Sequence, residues 1–279
     1  MNNVTKNMRR LRCEPLGEIV ELPERPQRVI CLVSGWTEAI WEMGLAGRVV
    51  GVSKYCSRYV DTRGLAVAGD YLRVEEAELA ALKPDLVLMT GGVQLGVARR
   101  LAKAGFPDFV ISLPDSFFGV LENIRRLGAL LGEMGAAQAL TAKMQARASA
   151  MMAVVPTRSP ATYVELWFGR HPRMAGGLTY IHDMVEMAGC RNVFSDRAEG
   201  YLTIDRAAIT AVQPQLLVLF HEEDDHPLDV AEWREASGWS GPIIEAGITK
   251  GRNMLHDGPS LLDTSAWLRD EVARLGLFS

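Results

Sequence analysis

Short β-branched runs alternate with amphipathic stretches along most of this chain. Residues 28–33 (RVICLV) form an apolar run that halts at Ser34-Gly35; residues 37–43 (TEAIWEM) then take up helical spacing and stop at Gly44. The punctuation recurs. Residues 49–52 (VVGV) read as a second strand, and 86–89 (LVLM), behind Pro84, as a third. A Gly91-Gly92 turn and a helix over 97–104 follow, then a fourth strand over 109–112. Strands alternating with helices predict a mostly parallel sheet covered on both faces.

The pattern changes after Ser116. Leu121, Ile124, Leu127, Leu131, Met134, Leu140, Met144 and Met151 recur at mainly helical spacing with no strand among them. This predicts a long helical connector, with Gly132 and Gly135 dividing it into two helices in line. Pro156 and Pro160 close it, and strands over 162–166, 216–220 and 243–244 begin a second α/β series. The expected organisation is an arm (1–24), an α/β lobe (25–115), a linking helix (116–156) and a second α/β lobe (157–279). The fold class is α/β, two Rossmann-like lobes with a ligand cleft between them.

An internal repeat supports duplicated lobes. Gly69-Asp70-Tyr71-Leu72 leads to Lys83-Pro84-Asp85 and the strand LVLM, and Glu199-Gly200-Tyr201-Leu202 leads to Gln213-Pro214-Gln215 and LLVLF. Tyrosine and proline are 13 positions apart in both. Ile40 to Gly44 and Val185 to Gly189 likewise end the first helix of each lobe.

Composition narrows the function. At 279 residues, 48% hydrophobic and 23% charged, the chain can bury more than one core. A net charge of −4 supplies no basic field, so nucleic acid is excluded as the expected partner. No apolar run approaches the roughly 20 residues that span a bilayer, so membrane insertion is not expected. Cys13, Cys31, Cys56 and Cys190 are scattered and read as thiols. Lys6, Arg9, Arg10 and Arg12 are not followed by an apolar secretory segment, which points to the cytoplasm, or to a periplasmic or extracellular site if a signal peptide has been removed.

Taken in order, RVICLVSGWTEAIWEMGLAGRVVGVS, ELAALKPDLVLMTGG, GLTYIHDMVEMAGCRNVF, GYLTIDRAAITAVQPQLLVLF and DGPSLLD resemble the cobalamin and ferric-siderophore class of substrate-binding proteins. These are of the long-helix, periplasmic-binding-protein-like type that serves ABC importers. The resemblance runs from about Arg25 onward. It implies a bound cobalamin, haem or other metal chelate as ligand, no enzymatic chemistry, and an ABC permease as possible partner. In importer-associated members each lobe offers a docking carboxylate; the matching positions are Ala77 and Ala207, with Glu75, Glu76, Glu78 and Asp205 nearby. The expected function is therefore a cytoplasmic binder of a corrinoid or similar chelate, with importer service as the alternative and an enzyme in the same cleft as a third reading.

Ligands of open α/β sheets gather at the carboxyl ends of strands, here 34–36, 90–94, 167–171 and 221–226. Tyr71 and Tyr201 match positions where the cobalamin-binding relatives place flat aromatics, and Trp36 and Trp167 lie on neighbouring loops. Core packing is the competing explanation for each ring. Thr90 and Gly91 open a candidate anion-binding turn, for which a tight strand-to-helix connection would serve as well. His171, His221 and His256 could ligate a corrinoid cobalt or contact an anionic chelate, and Arg170 and Arg173 could pair with its carboxylates. Residues 221–226 (HEEDDH) have the composition of a divalent-metal loop or of a solvated acidic one. His182-Asp183 reads as helix-start polarity. No nucleophile elbow, phosphate loop, dinucleotide turn or paired-cysteine site occurs.

Overall fold

A computed structural model describes residues 7–154, 156–167, 171–204, 209, 211–224 and 226–278. They fall into two compact units, one running to Leu113 and including Leu121–Lys143, the other comprising Pro114–Val120 and the chain from Met144. Among the described residues no helix is long and apolar enough to cross a membrane.

The first unit opens with an antiparallel hairpin, β1 (Met8–Cys13) and β2 (Glu18–Pro23), where the sequence reading expected only a polar arm. Its basic residues had masked a period of two. Arg10 and Arg12 face outward, whereas Leu11 and Cys13 turn inward and Cys13 joins the core. A sheet follows from β3 (Val29–Cys31), β4 (Val49–Ser53), β5 (Ala66–Gly69), β6 (Leu86–Thr90) and β7 (Asp108–Ile111), all parallel in the order β5-β4-β3-β6-β7. Helices α1 (Ser34–Glu42), α2 (Glu76–Ala81) and α3 (Leu95–Lys103) connect its strands. Ile30, Leu32, Val87 and Met89 are buried on one face with Leu79 and Leu101 from the helices, and Val29, Cys31, Leu86 and Leu88, at the alternate positions, are buried too, as expected for strands covered on both faces.

Two helices, α4 (Phe117–Leu131) and α5 (Met134–Ala153), make up the helical segment. The break falls at Gly132, which has φ +68° and whose Cα faces the Glu24 carbonyl too closely for a side chain. Gly135 lies inside α5 with open space around it. The two helices are not in line. Gly128 packs against Ala137 so tightly that a Cβ would collide with that methyl, whereas nine residues of straight helix would separate them by about 13 Å. Arginines satisfy the exposed carbonyls of both C-termini. Arg9 donates to Ala129 and Leu130 and Arg48 to Leu131 at the end of α4; Arg269 donates to Met151 and Val154 at the end of α5.

The second unit contains β8 (Ala161–Trp167), β9 (Arg173–Ala175), α6 (Tyr180–Met187), β10 (Arg191–Asn192), β11 (Tyr201–Thr203), β12 (Leu216–His221), α7 (Val230–Ser237), β13 (Ile243–Ala246) and α8 (Leu261–Arg274). Its sheet runs β11-β9-β8-β12-β13, with β10 also on β8. The three strands read from sequence, β8, β12 and β13, are parallel, while β9 and β11 are antiparallel and too short to stand out in the pattern. All four cysteines are buried thiols outside any disulfide.

The repeat proves to be conformational. Lys83 (φ +46°) and Gln213 (φ +45°) are the two non-glycine residues with positive φ among those described, and each precedes the proline that leads into β6 or β12. A left-handed residue ends the preceding helix, and proline prevents its resumption. The following side chain then anchors the backbone at the start of β3 or β8. Asp85 accepts from the backbone of Gln27 and Arg28 at 2.8–3.1 Å, and Gln215 from that of Ala161 at 3.0 Å. Because left-handed geometry costs an L-residue about 1 kcal/mol, Lys83→Gly and Gln213→Gly are each expected to raise stability by roughly 0.5–1 kcal/mol in urea denaturation. Lys83→Val should lower it.

Asp108 on β7 is 1% exposed, with Oδ2 unpartnered among the described residues. Burial, with a smaller push from Glu18, raises its carboxyl from 3.8 to about 7. The folded chain thus holds a proton that the unfolded chain releases near pH 4. This contribution is complete below pH 4 and is lost as pH rises through about 7. Asp108→Asn should remove that loss, stabilising the protein by about 2–4 kcal/mol at pH 8 and flattening the melting profile between pH 4 and 7. An unchanged profile would refute the assignment.

Candidate ligand site at the strand ends

The carboxyl ends of β3 to β7 form one continuous edge of the first unit. Ser34, in the first turn of α1, has its Oγ 3.4 Å from the Tyr71 hydroxyl. Tyr71 stacks on Tyr55, from the loop after β4, with centroids 5.2 Å apart and planes inclined by 23°. Lys54 and Arg58 bring cations to 4.8 and 5.2 Å from the Tyr55 ring. At the other end, Gly91 packs on Ser112 and Gly92 on Leu113, so the loops after β6 and β7 touch.

Local chemistry explains how Tyr71 is presented. Gly69 has φ +141° and lies against the Arg73 carbonyl, an approach that only glycine permits. Asp70 Oδ1 accepts from the backbone N–H of Leu72 and of Arg73, both at 2.7 Å, which closes a tight turn with Tyr71 at its tip. Leu72, next to Tyr71 in the turn, is 65% exposed; at the other end of the edge Val93 is 66% and Leu113 52% exposed. The two stacked phenols make an aromatic rim at this end of the edge, with cations beside it.

Other residues selected from sequence sit deeper. Trp36 belongs to α1 rather than to a loop and is 1% exposed, its indole packed in the core. Thr90 is buried, its N–H held by Gln94 Oε1 at 2.9 Å, and Gly91 is buried too. The exposed part of that turn is Gly92 and Val93. Tyr55 was missed, although its place directly after β4 follows the strand-end rule that selected the other loops.

In the second unit, register places Trp167 and His221 side by side at the ends of β8 and β12. Trp167 donates its indole N–H to Glu165 at 2.7 Å. His221 is buried; its Nδ1 accepts from the Leu228 N–H at 3.3 Å, and its Nε2 lies 3.9 Å from Glu245. Tyr201 lies on β11 opposite Ala175, 39% exposed. Shielding of its phenol, with a smaller push from Asp257, moves its pKa up to about 12 against the opposing effect of a hydrogen bond with Tyr180. His171 is exposed, whereas His256 is buried. The cap of α6 is Thr179, which accepts from His182 N–H, while Asp183 accepts the Phe117 N–H at the start of α4. Arg170, Asp205, Ala207 and Asp225 lie outside the described residues. Among the described residues no three His, Cys, Asp or Glu side chains gather as a metal site. Ala77 is exposed on α2, between Glu76, paired with Arg100, and exposed Glu78.

Sequence and structure comparisons agree on one scaffold. A family profile described as periplasmic binding protein matches residues 29–234. A cobalamin-binding protein of Halobacterium salinarum is 30% identical over 207 residues, covering 71% of this chain and 55% of that one. The chain therefore matches about half the length of this relative. Among solved structures, the apo form of the periplasmic heme-binding protein RhuT from Roseiflexus sp. RS-1 superposes with a TM-score of 0.70 at 21% identity, covering 88% of this chain and 98% of its own. An ABC-type Fe3+-hydroxamate transport system protein from Saccharomonospora viridis gives 0.70 at 22% identity, covering 94% and 98%. At these identities the structural likeness concerns the fold.

The Asp70 turn carries its own test. Asp70→Ala removes the acceptor of two backbone N–H groups and should cost about 1–2 kcal/mol, with loss of near-ultraviolet circular dichroism from the Tyr55–Tyr71 stack. Asp70→Asn, which keeps one acceptor oxygen, should lose less of both.

Proposed function

Since this chain belongs to the periplasmic binding protein family, we propose that it is a non-enzymatic binder of a cobalamin-like corrinoid or similar metal chelate, acting as the substrate-binding subunit of an importer. The observation that carries the reading is the Tyr55–Tyr71 stack at the strand ends, with exposed Leu72 next to Tyr71. Such a rim offers area to a flat macrocycle at little cost in side-chain entropy. Lys54 and Arg58 at its end suit carbonyl or carboxylate groups on the ligand's periphery. In the second unit, Trp167, His221 and Tyr201, with His171 and His256, are the corresponding candidates.

The relatives support importer service over a cytoplasmic role. Proteins named for vitamin B12 binding, such as that of Vibrio campbellii, and a Bacillus subtilis protein named as an ABC transporter substrate-binding lipoprotein are among them. Exposed Ala77 does not itself supply a docking carboxylate for a permease, but Glu75 and Glu78 beside it on the same surface can.

Calorimetric and absorbance titration with cyanocobalamin, cobinamide, haem and a ferric hydroxamate tests the reading. Saturable uptake of a corrinoid is expected, weakened by about tenfold or more in Tyr71→Ala and in Tyr55→Ala, since a buried aromatic contact contributes roughly 1–3 kcal/mol. Failure of all four ligands to bind would remove it.

A further inference from the structure

Glu165 lies on β8 with its side chain wholly buried. Its carboxylate accepts three hydrogen bonds from neutral donors: the Tyr163 hydroxyl at 2.8 Å on Oε2, and the indole N–H groups of Trp167 at 2.7 Å and Trp233 at 2.8 Å, both on Oε1. Among the described residues no cation pairs with it. Tyr163, Glu165 and Trp167 alternate along one strand, so the pleat sets all three on one face; Trp233 reaches them from α7. Tyr163, Trp233 and Trp167 belong to the apolar cluster on that face.

A carboxylate in such a place is costly to desolvate, and an apolar side chain of equal size would pack there at no such cost. What the carboxylate supplies instead is direction. One oxygen collects both indole N–H groups and so turns the N–H edge of Trp167 into the core, leaving the rest of a partly exposed ring at the end of β8. Beside it in register, His221 holds the Leu228 N–H, two residues before α7 begins. The ends of β8 and β12 are therefore each tied to α7 or to the segment entering it, at neighbouring points.

We propose that Glu165 is a positioning residue, which fixes the plane of the Trp167 indole at the strand end so that one ring face is held ready for a flat ligand. This rests on the ligand-binding reading above. Glu165 touches no ligand itself; it acts through Trp167, and through Trp233 it couples that ring to α7.

The test uses the full chain with 15N-labelled indoles, wild type against Glu165→Gln and Glu165→Leu, the two resonances being assigned with Trp167→Phe and Trp233→Phe. In the ligand-free wild type, the Trp167 and Trp233 N–H groups should exchange at least about 100-fold more slowly than an exposed indole. Glu165→Gln should keep both protected, because its amide oxygen still accepts both N–H groups while its NH2 donates to the Tyr163 oxygen. Glu165→Leu should lose the protection and bind cyanocobalamin about tenfold more weakly, with Glu165→Gln within about threefold of wild type. A wild-type Trp167 indole that exchanges as fast as an exposed one overturns the proposal, whether or not Glu165→Leu folds. So does a folded Glu165→Leu that binds as tightly as wild type. If wild type takes up no corrinoid, haem or hydroxamate, the ligand-binding reading falls and this inference falls with it, a result distinct from binding that ignores Glu165.

Discussion

Parallel strands covered on both faces can offer chemistry only at their ends, and that constraint organises both units. Val29–Cys31 and Leu86–Thr90 are buried along their whole length, so whatever these strands present must come from the residues that follow them. In the first unit this places Ser34, Tyr55, Tyr71, Gly92 and Leu113 along one edge, although they lie up to 79 positions apart in sequence. Strand order reverses at β3, between β4 on one side and β6 on the other, which is where such sheets open a crevice.

Getting the strand ends into register requires that their beginnings be fixed, and the duplicated motif does this. A helix stops on a left-handed residue, proline blocks its continuation, and the next side chain takes hold of the backbone at the start of β3 or β8. Asp85 and Gln215 differ in charge but perform the same bond, since either offers an oxygen to an N–H donor. The two tyrosines of the repeat differ more. Tyr71 stands at the tip of a turn closed by Asp70, while Tyr201 is built into an antiparallel strand. The two copies of the motif share the frame and differ in how the tyrosine is set.

Buried polar groups take different forms in the two units. Asp108 has an oxygen without a partner among the described residues and is driven toward the neutral acid, so it makes stability depend on pH. Glu165 is surrounded by donors, and its burial is directed at orienting two indoles. The same carboxylate chemistry thus yields a titrating group in one place and a geometric tether in another, decided by the number of donors within reach.

The sequence by itself determined the α/β class, seven of the strands, the helical segment and the repeat, because hydrophobic period and Gly-Pro punctuation are local properties of a chain. It singled out Tyr71 only through the family resemblance; that this ring sits at the tip of a turn shaped by Gly69 and Asp70 is a finding of the structure. The sequence did not reveal the β1–β2 hairpin, whose alternation was hidden under arginines, nor the antiparallel β9 and β11, too short to show a period. Only the tertiary structure decided that Trp36 is core, that Tyr55 stacks on Tyr71, that α4 and α5 meet at Gly128 and Ala137, and that Glu165 gathers Trp167 and Trp233. These facts depend on residues brought together from distant parts of the chain, where burial and partner count, rather than residue type, determine what a side chain does.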